Sequence, residues 1–274
     1  MKPAAFTYHA PRSLDEALAL LGEWGPREGR ILAGGQSLVP AMALRLATPA
    51  HLIDINEIAA LRVLEAQNGW LRIGAGVRHS AFERPVLDGP LGELLATVVR
   101  HIAHHPIRTR GTFCGSLAHA DPASEWCLVA ATLDAELVAR SVRGARTIAA
   151  RDFFRGVMST ALAPDELLVE ARLPLLASRT RFGFHEYSRR AGDFAIAMAL
   201  VVRGDEARIG VGGAEARPRR IPEAEAALRR GSIDHAAQAA ARAIEPLSDP
   251  QYGVDYRRDL ARTVVRRALE QAGA

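Results

Sequence analysis

The chain has 274 residues, 49% hydrophobic and 24% charged, which is enough for one large or two ordinary domains and argues against disorder. No apolar run reaches the roughly 20 residues of a membrane helix, and the N-terminus carries no apolar signal region. Two cysteines, Cys114 and Cys127, are too few for a disulfide framework, a four-cysteine zinc site or an iron–sulfur cluster, so a soluble, cytoplasmic, reduced protein is expected.

The first elements read β-α-β. Phe6–Tyr8 is a short extended segment. Ser13 then serves as N-cap with Glu16 three residues on, a capping box, and Leu14, Ala17, Leu18 and Leu21 repeat at helical spacing. A strand at Arg30–Ala33 enters Gly34-Gly35-Gln36-Ser37-Leu38. A short helical piece near Met42–Leu46 and a strand at Leu52–Ile55 follow. Leu61–Glu65 and Trp70–Val77 read as strands paired across an Asn68-Gly69 turn, with helices over Ser80–Asp88 and Leu91–His101. His104–Glu125 reads as an unusually long loop rich in Gly, His, Asp and Pro, a length that points to function. Trp126–Leu133 is a buried helix, and strands follow at Ala135–Arg140 and Leu167–Leu173. Beyond Pro174, three strands (182–189, 194–202 and 208–212) precede three helices (222–230, 235–244 and 256–272), an α+β pattern.

Two segments stand out chemically. In Ala33-Gly34-Gly35-Gln36-Ser37-Leu38 a strand runs into paired glycines, whose N–H groups can form an anion-binding nest with Ser37 as a further donor. A plain tight turn is the competing reading. In Arg110-Gly111-Thr112-Phe113-Cys114-Gly115-Ser116 the hydroxyls of Thr112 and Ser116 are donors, and Asp121 and Glu125 further on are acceptors for sugar hydroxyls or a ribityl chain. Asp121 and Ser124 also suit capping of the next helix. Cys114 reads chiefly as a small residue fitting a tight turn, with an activated thiol as the alternative.

Other fingerprints are missing. There is no GxxxxGK[ST] and no GxSxG, and Gly74-Ala75-Gly76 and Gly210-Val211-Gly212 lack the third glycine of a dinucleotide fold, where His79 and Glu215 stand. His101, His104, His105, His119 and Asp121 invite a metal, but Pro106 breaks the segment and no second motif completes a ligand set. Lys2 is the one lysine, so the net charge of +4 rests on arginines. They are spread along the chain, and aromatics are only 5%, unlike the clustered footprint of a nucleic-acid binder.

Taken in order, AGGQSLVP, LIDINEI, GAGVRHS and RTRGTFCGSLAHADPASEW resemble the FAD-binding medium subunit of molybdenum hydroxylases, the family of carbon monoxide dehydrogenase and bacterial xanthine dehydrogenase. PDELLVEARLP, FGFHEYSRRAGDFAIAMA and GVGGAEARPRRIPEAEAAL extend the resemblance over nearly the whole chain. Each motif is weak alone; their common register is not. The resemblance implies an α+β fold: a two-part, PCMH-like FAD-binding domain over 1–175 (parts about 1–56 and 57–175), then a small domain over 176–274 with a three-stranded antiparallel sheet and three helices.

It also implies that Ala33, Gly34, Gly35, Gln36, Ser37 and Leu38, together with Thr112, Phe113, Cys114, Gly115 and Ser116, contact the FAD pyrophosphate. Cys114 stands where many relatives have glycine. Glu125 corresponds to an acidic residue closing the ADP-binding loop, Leu168 (or Leu167) to an apolar contact near the flavin, and Glu186 to a position where many relatives have lysine. The implied function is electron transfer through FAD, from 2Fe–2S clusters of a small subunit to an external acceptor, beside a large subunit holding molybdenum cofactor. The two cysteines agree, since they cannot hold a cluster. No catalytic side chain and no metal ligand are expected in this chain. A self-sufficient FAD-dependent oxidase or reductase is the alternative.

Overall fold

The computed structural model describes residues 2–273, beginning with β1 (Thr7–His9), α1 (Leu14–Trp24), β2 (Gly29–Leu32), α2 (Leu38–Ala43) and β3 (His51–Asp54). The strands pair in parallel in the order β1-β3-β2, which puts their carboxyl ends along one edge. Ser13 caps α1 by accepting from the Glu16 N–H at 3.2 Å. The Glu16 carboxylate does not close the box on Ser13; it accepts from the Arg12 N–H at 3.0 Å, one residue further out. The short helix starts at Leu38, earlier than its apolar residues suggested, and the chain leaves it through Arg45 at φ 59°.

A second sheet contains β4 (Leu64–Gln67), β5 (Trp70–Gly74), β6 (Glu136–Ser141), β7 (Gly144–Ala149) and, after a hairpin of β8 (Phe154–Gly156) and β9 (Ser159–Thr160), β10 (Leu167–Pro174). Its order is β4-β5-β10-β6-β7, antiparallel throughout. Asn68 (φ 51°) and Gly69 (φ 82°) make the two-residue turn that their sequence predicts. Between β5 and β6 lie α3 (Pro90–Val98), α4 (His105–Arg108), α5 (Phe113–His119) and α6 (Glu125–Thr132), and α7 (Ala150–Phe153) follows β7.

Three expectations fail here. Ser80–Asp88 is not a helix beyond one 3-10 turn, His79–Phe82, because Pro85 restricts the residue before it. Residues 59–62 likewise form a 3-10 turn, so the strand begins only at Leu64. The supposed loop His104–Glu125 contains two short helices, with Pro106 at N2 in the first turn of α4 and Thr112 capping α5.

The C-terminal part has β11 (Arg181–Ser188), β12 (Ala195–Arg203), β13 (Ala207–Gly212), β14 (Arg219–Arg220), α8 (Pro222–Arg230), α9 (Ile233–Ala243) and α10 (Val254–Gln271). Its sheet therefore has four strands, not three, in the order β11-β12-β13-β14. The fourth is two arginines long and carries no apolar signal. β12 is buried on both faces: Met198, Leu200 and Val202 join the large core, while Ala197, Ala199 and Val201 pack with the alanine-rich helices α8–α10. Among the described residues, no helix is long and apolar enough to cross a membrane.

The large core centres on Trp126, Phe113 and Phe82, with ring centroids 4.9 and 5.3 Å from Trp126. The buried Trp126 indole donates from Nε1 to His79 Nδ1 at 2.9 Å, which leaves the imidazole proton on Nε2. Burial, then the nearby Arg78 and Arg108 charges, bring the His79 pKa down to about 4. The ring is thus neutral near pH 7. Trp126→Phe strands a buried acceptor and opens space, so we expect a loss of roughly 2–4 kcal/mol. Urea unfolding with an unchanged m-value would measure it, and a loss below ~0.5 kcal/mol would contradict this role.

Candidate functional site

The carboxyl ends of β2 and β3 open onto a cleft of about 300 Å³. Ala33, Gly34, Gly35 and Gln36 form one wall, Asp54 and Asn56 the floor after β3, and Arg110 the opposite side. This is where ligands gather in parallel sheets, because loops leaving adjacent strands diverge there. Gly35 sits at φ 72°, and the Gln36 amide donates from Nε2 to the Gly34 carbonyl at 3.0 Å. A Cβ on Gly34 would collide with the Arg110 carbonyl and the Gly111 Cα, so the two glycine segments meet backbone to backbone.

A polar brace holds them in that position. Asn56 donates from Nδ2 to the Ala33 carbonyl at 2.9 Å and accepts on Oδ1 from the Arg78 guanidinium, which also donates to the Arg110 carbonyl. Residues 77–79 run antiparallel to 111–113: the His79 N–H donates to Gly111 O at 3.0 Å, and the Phe113 N–H to Val77 O at 3.1 Å. Gly111 has to be small, since a Cβ there would lie 2.5 Å from His79 Nε2. Asp54 accepts from Tyr8 Oη at 2.6 Å and from the Asn56 backbone N–H at 2.8 Å, so both its oxygens are committed.

The residues singled out from sequence occupy three places. Ala33, Gly34, Gly35 and Gln36 line the cleft, with exposed Ser37 and half-buried Leu38 leading into α2 beside it. Thr112 caps α5, accepting from the Gly115 N–H at 3.1 Å, and Ser116 lies half-buried one turn on. Phe113, Cys114 and Leu168 bury their side chains in the large core. The Cys114 thiol donates to Ile73 O at 3.4 Å, and burial raises its pKa. Cys114 therefore stands inside a helix, not in a tight turn, and its thiol is not activated.

Glu125 and Glu186 form the third place. Glu125 begins α6, and Glu186 faces the large core from β11 with a side chain 3% exposed. Among the described residues its Oε2 has no hydrogen-bond partner, and His101 Nδ1 stands 3.8 Å away. Burial raises the pKa of both carboxyls; the Asp121 charge adds to the effect on Glu125, and the Glu125 charge to that on Glu186. Strand alternation turns His185 to the opposite face, toward Arg267 and Glu270 of α10.

Asp54, Asn56 and Arg78 were not picked out from sequence. Asp54 ends β3 and Asn56 stands two residues beyond it, a position at the carboxyl end of a strand that could have found them. Arg78 offers no such cue, since its partners lie 22 and 32 residues away.

Residues 4–176 match the family described as the FAD binding domain in molybdopterin dehydrogenase, and residues 182–272 the CO dehydrogenase flavoprotein C-terminal domain. The chain is 37% identical to the nicotine 6-hydroxylase medium subunit of Paenarthrobacter nicotinovorans, over 100% of this chain and 99% of that one. Among solved structures it is similar to carbon monoxide dehydrogenase from Hydrogenophaga pseudoflava (TM-score 0.93, 36% identity, covering 100% of this chain and 99% of that one). It is also similar to quinoline 2-oxidoreductase from Pseudomonas putida 86 (TM-score 0.90, 35% identity, covering 99% and 98%).

The buried carboxyl gives a signed pH test. The folded-state pKa of Glu186 lies above the roughly 4.3 of an unfolded glutamate, so this group takes nothing from stability below that value and costs progressively more as pH rises through the raised one. Glu186→Gln is expected to melt with wild type near pH 4 and above it near pH 9. The gap should be about 1.4 kcal/mol for each tenfold change in the carboxyl's proton affinity. Parallel melting curves across that range, followed by circular dichroism, would refute this account.

Proposed function

The chain belongs to the family of FAD-binding medium subunits of molybdenum hydroxylases, and from that premise we propose that it carries electrons through FAD within a heteromeric molybdenum-containing dehydrogenase. Its cofactor is FAD, and it is one subunit of an oxidoreductase. Two-electron chemistry with one-electron partners is what the flavin supplies when bound; the protein supplies position and electrostatics. The partners are a small subunit with 2Fe–2S clusters, which delivers electrons, and a large subunit with molybdenum cofactor, where substrate is oxidised. An external acceptor then takes the electrons. The assembly works in the cytoplasm.

The observation that carries this reading is the backbone-to-backbone meeting of two glycine segments at the mouth of a cleft. Phosphate oxygens need close, unobstructed N–H groups, and such segments provide them where any side chain would stand in the way. In this reading Ala33–Leu38 form one side of the pyrophosphate cradle and Thr112, Gly115 and Ser116 the other. Phe113, Cys114 and Leu168 act from the core, fixing the pitch of α5 and β10 behind the cradle. Glu125 and Glu186 hold a protonatable, water-poor seam between residues 1–175, the two-part flavin domain, and 176–274, the small domain. The alternative of a self-sufficient oxidase is the weaker reading, because relatives matched along the whole chain are named as a medium subunit and a medium chain.

Purified with FAD, the chain is expected to show flavin absorption that survives gel filtration; no bound flavin after incubation with excess FAD would sink the proposal. Gly35→Val places a branched side chain at φ 72°, with its Cβ 3.2 Å from Val39 Cγ2. It should lower flavin content at least about tenfold, since the loop must change its backbone to relieve a strain of roughly 1–3 kcal/mol. Far-UV circular dichroism should stay unchanged. Wild-type flavin content in this variant would mean that the pyrophosphate lies elsewhere.

A further inference from the structure

The wall of the cleft carries unbalanced positive charge. Arg110 lines it, and two more guanidiniums are bonded to its lining residues: Arg62 donates to Asn56 O at 2.5 Å, and Arg78 to Asn56 Oδ1 and Arg110 O. The guanidinium of Arg110 is exposed and, among the described residues, makes no hydrogen bond or ion pair, although its own carbonyl is pinned by Arg78. The carboxylate of the cleft, Asp54, is held by Tyr8 and Asn56. Desolvation, then the Arg110 and Arg62 charges, depress the pKa of Arg78, so the three cations feel one another across the site. Such a site is incomplete without an anion.

The geometry points to Arg110 as the side chain that meets the diphosphate of FAD and selects a dinucleotide over a flavin lacking phosphate. This rests on the reading of the cleft as the pyrophosphate site and adds to it a residue and a specificity. A guanidinium presents paired N–H groups matched to phosphate oxygens, which a backbone nest, with single N–H vectors, does not. The site places it by the backbone: Arg78 fixes the Arg110 carbonyl, Gly34 packs beneath it, and the side chain is left to reach over the cleft. Riboflavin carries no phosphate and gains nothing from this arm.

The test uses the full chain stripped of flavin, with FAD and riboflavin binding followed by flavin fluorescence at two salt concentrations. Arg110→Gln is expected to weaken FAD about 10- to 100-fold, leave riboflavin within about twofold and flatten the salt dependence of FAD binding. Arg110→Lys, which keeps the charge but not the fork, should recover part of the loss. Equal FAD affinity in wild type and Arg110→Gln overturns the inference, as does an equal loss for FAD and riboflavin, which would mark a general disturbance of the fold. Wild type that binds riboflavin but gains nothing from the diphosphate overturns it too. Wild type that binds neither flavin refutes the function proposed above, a different failure from either of these.

Discussion

Two peptide segments some 75 residues apart have to meet without a side chain between them, and one arginine enforces the meeting. Arg78 spends its guanidinium on Asn56 and on the Arg110 carbonyl, while Asn56 in turn holds Ala33. Ala33 and Asn56 follow strands of the small parallel sheet, Arg78 follows β5 of the antiparallel sheet, Arg110 lies between α4 and α5, and the brace joins these connections. The two bonds from Arg78 are charge-assisted, which makes each stronger than a neutral pair, and the one to Asn56 is also partly shielded from water. Remove the brace and both glycine segments keep their sequence but lose their relative position. The cleft is a property of that position.

Behind the cleft the architecture is conservative in its use of polarity. His79 is buried with its acceptor used, Trp126 donating to one nitrogen and Gly111 crowding the other. Glu186 is buried and not satisfied, and it lies where the C-terminal sheet meets the start of α6. A buried carboxyl with a free oxygen is expensive to keep charged, so the seam favours a neutral form. His101, with a side chain 38% exposed, stands 3.8 Å from that carboxyl.

Much of this could be read from the chain. Asn68-Gly69 announces its turn, the paired glycines stand out as the segment that lines the cleft, and the long C-terminal helices follow their apolar spacing. The failures share a cause: a signal that is local but too short, or not local at all. α4 and α5 span four and seven residues, and their Gly, Pro and His content reads as loop although Pro106 and Thr112 are proper starts. β7 buries only Ile148, with Ala149 half-buried beside it, so alternation has little to act on. β14 is a strand only because β13 offers it an edge. The Asn56–Arg78–Arg110 chain depends on tertiary placement, which residue type alone does not report. Glu186 is legible as a position but not as an orphan, since burial without a partner exists only once β11 has packed.

β12 separates two cores, and each face belongs to a different one. The chain can be divided on paper near residue 180, since two family descriptions meet there, but the division does not extend to its energetics. Detaching the C-terminal part would expose not a polar interface but the flank of the large core, with Met198, Leu200 and Val202 gone from it. In evolutionary terms the two segments are poor candidates for exchange between proteins. A graft would have to bring along the neighbour that each face of the strand has been shaped to meet, so this half of the molecule is inherited with the other or not at all.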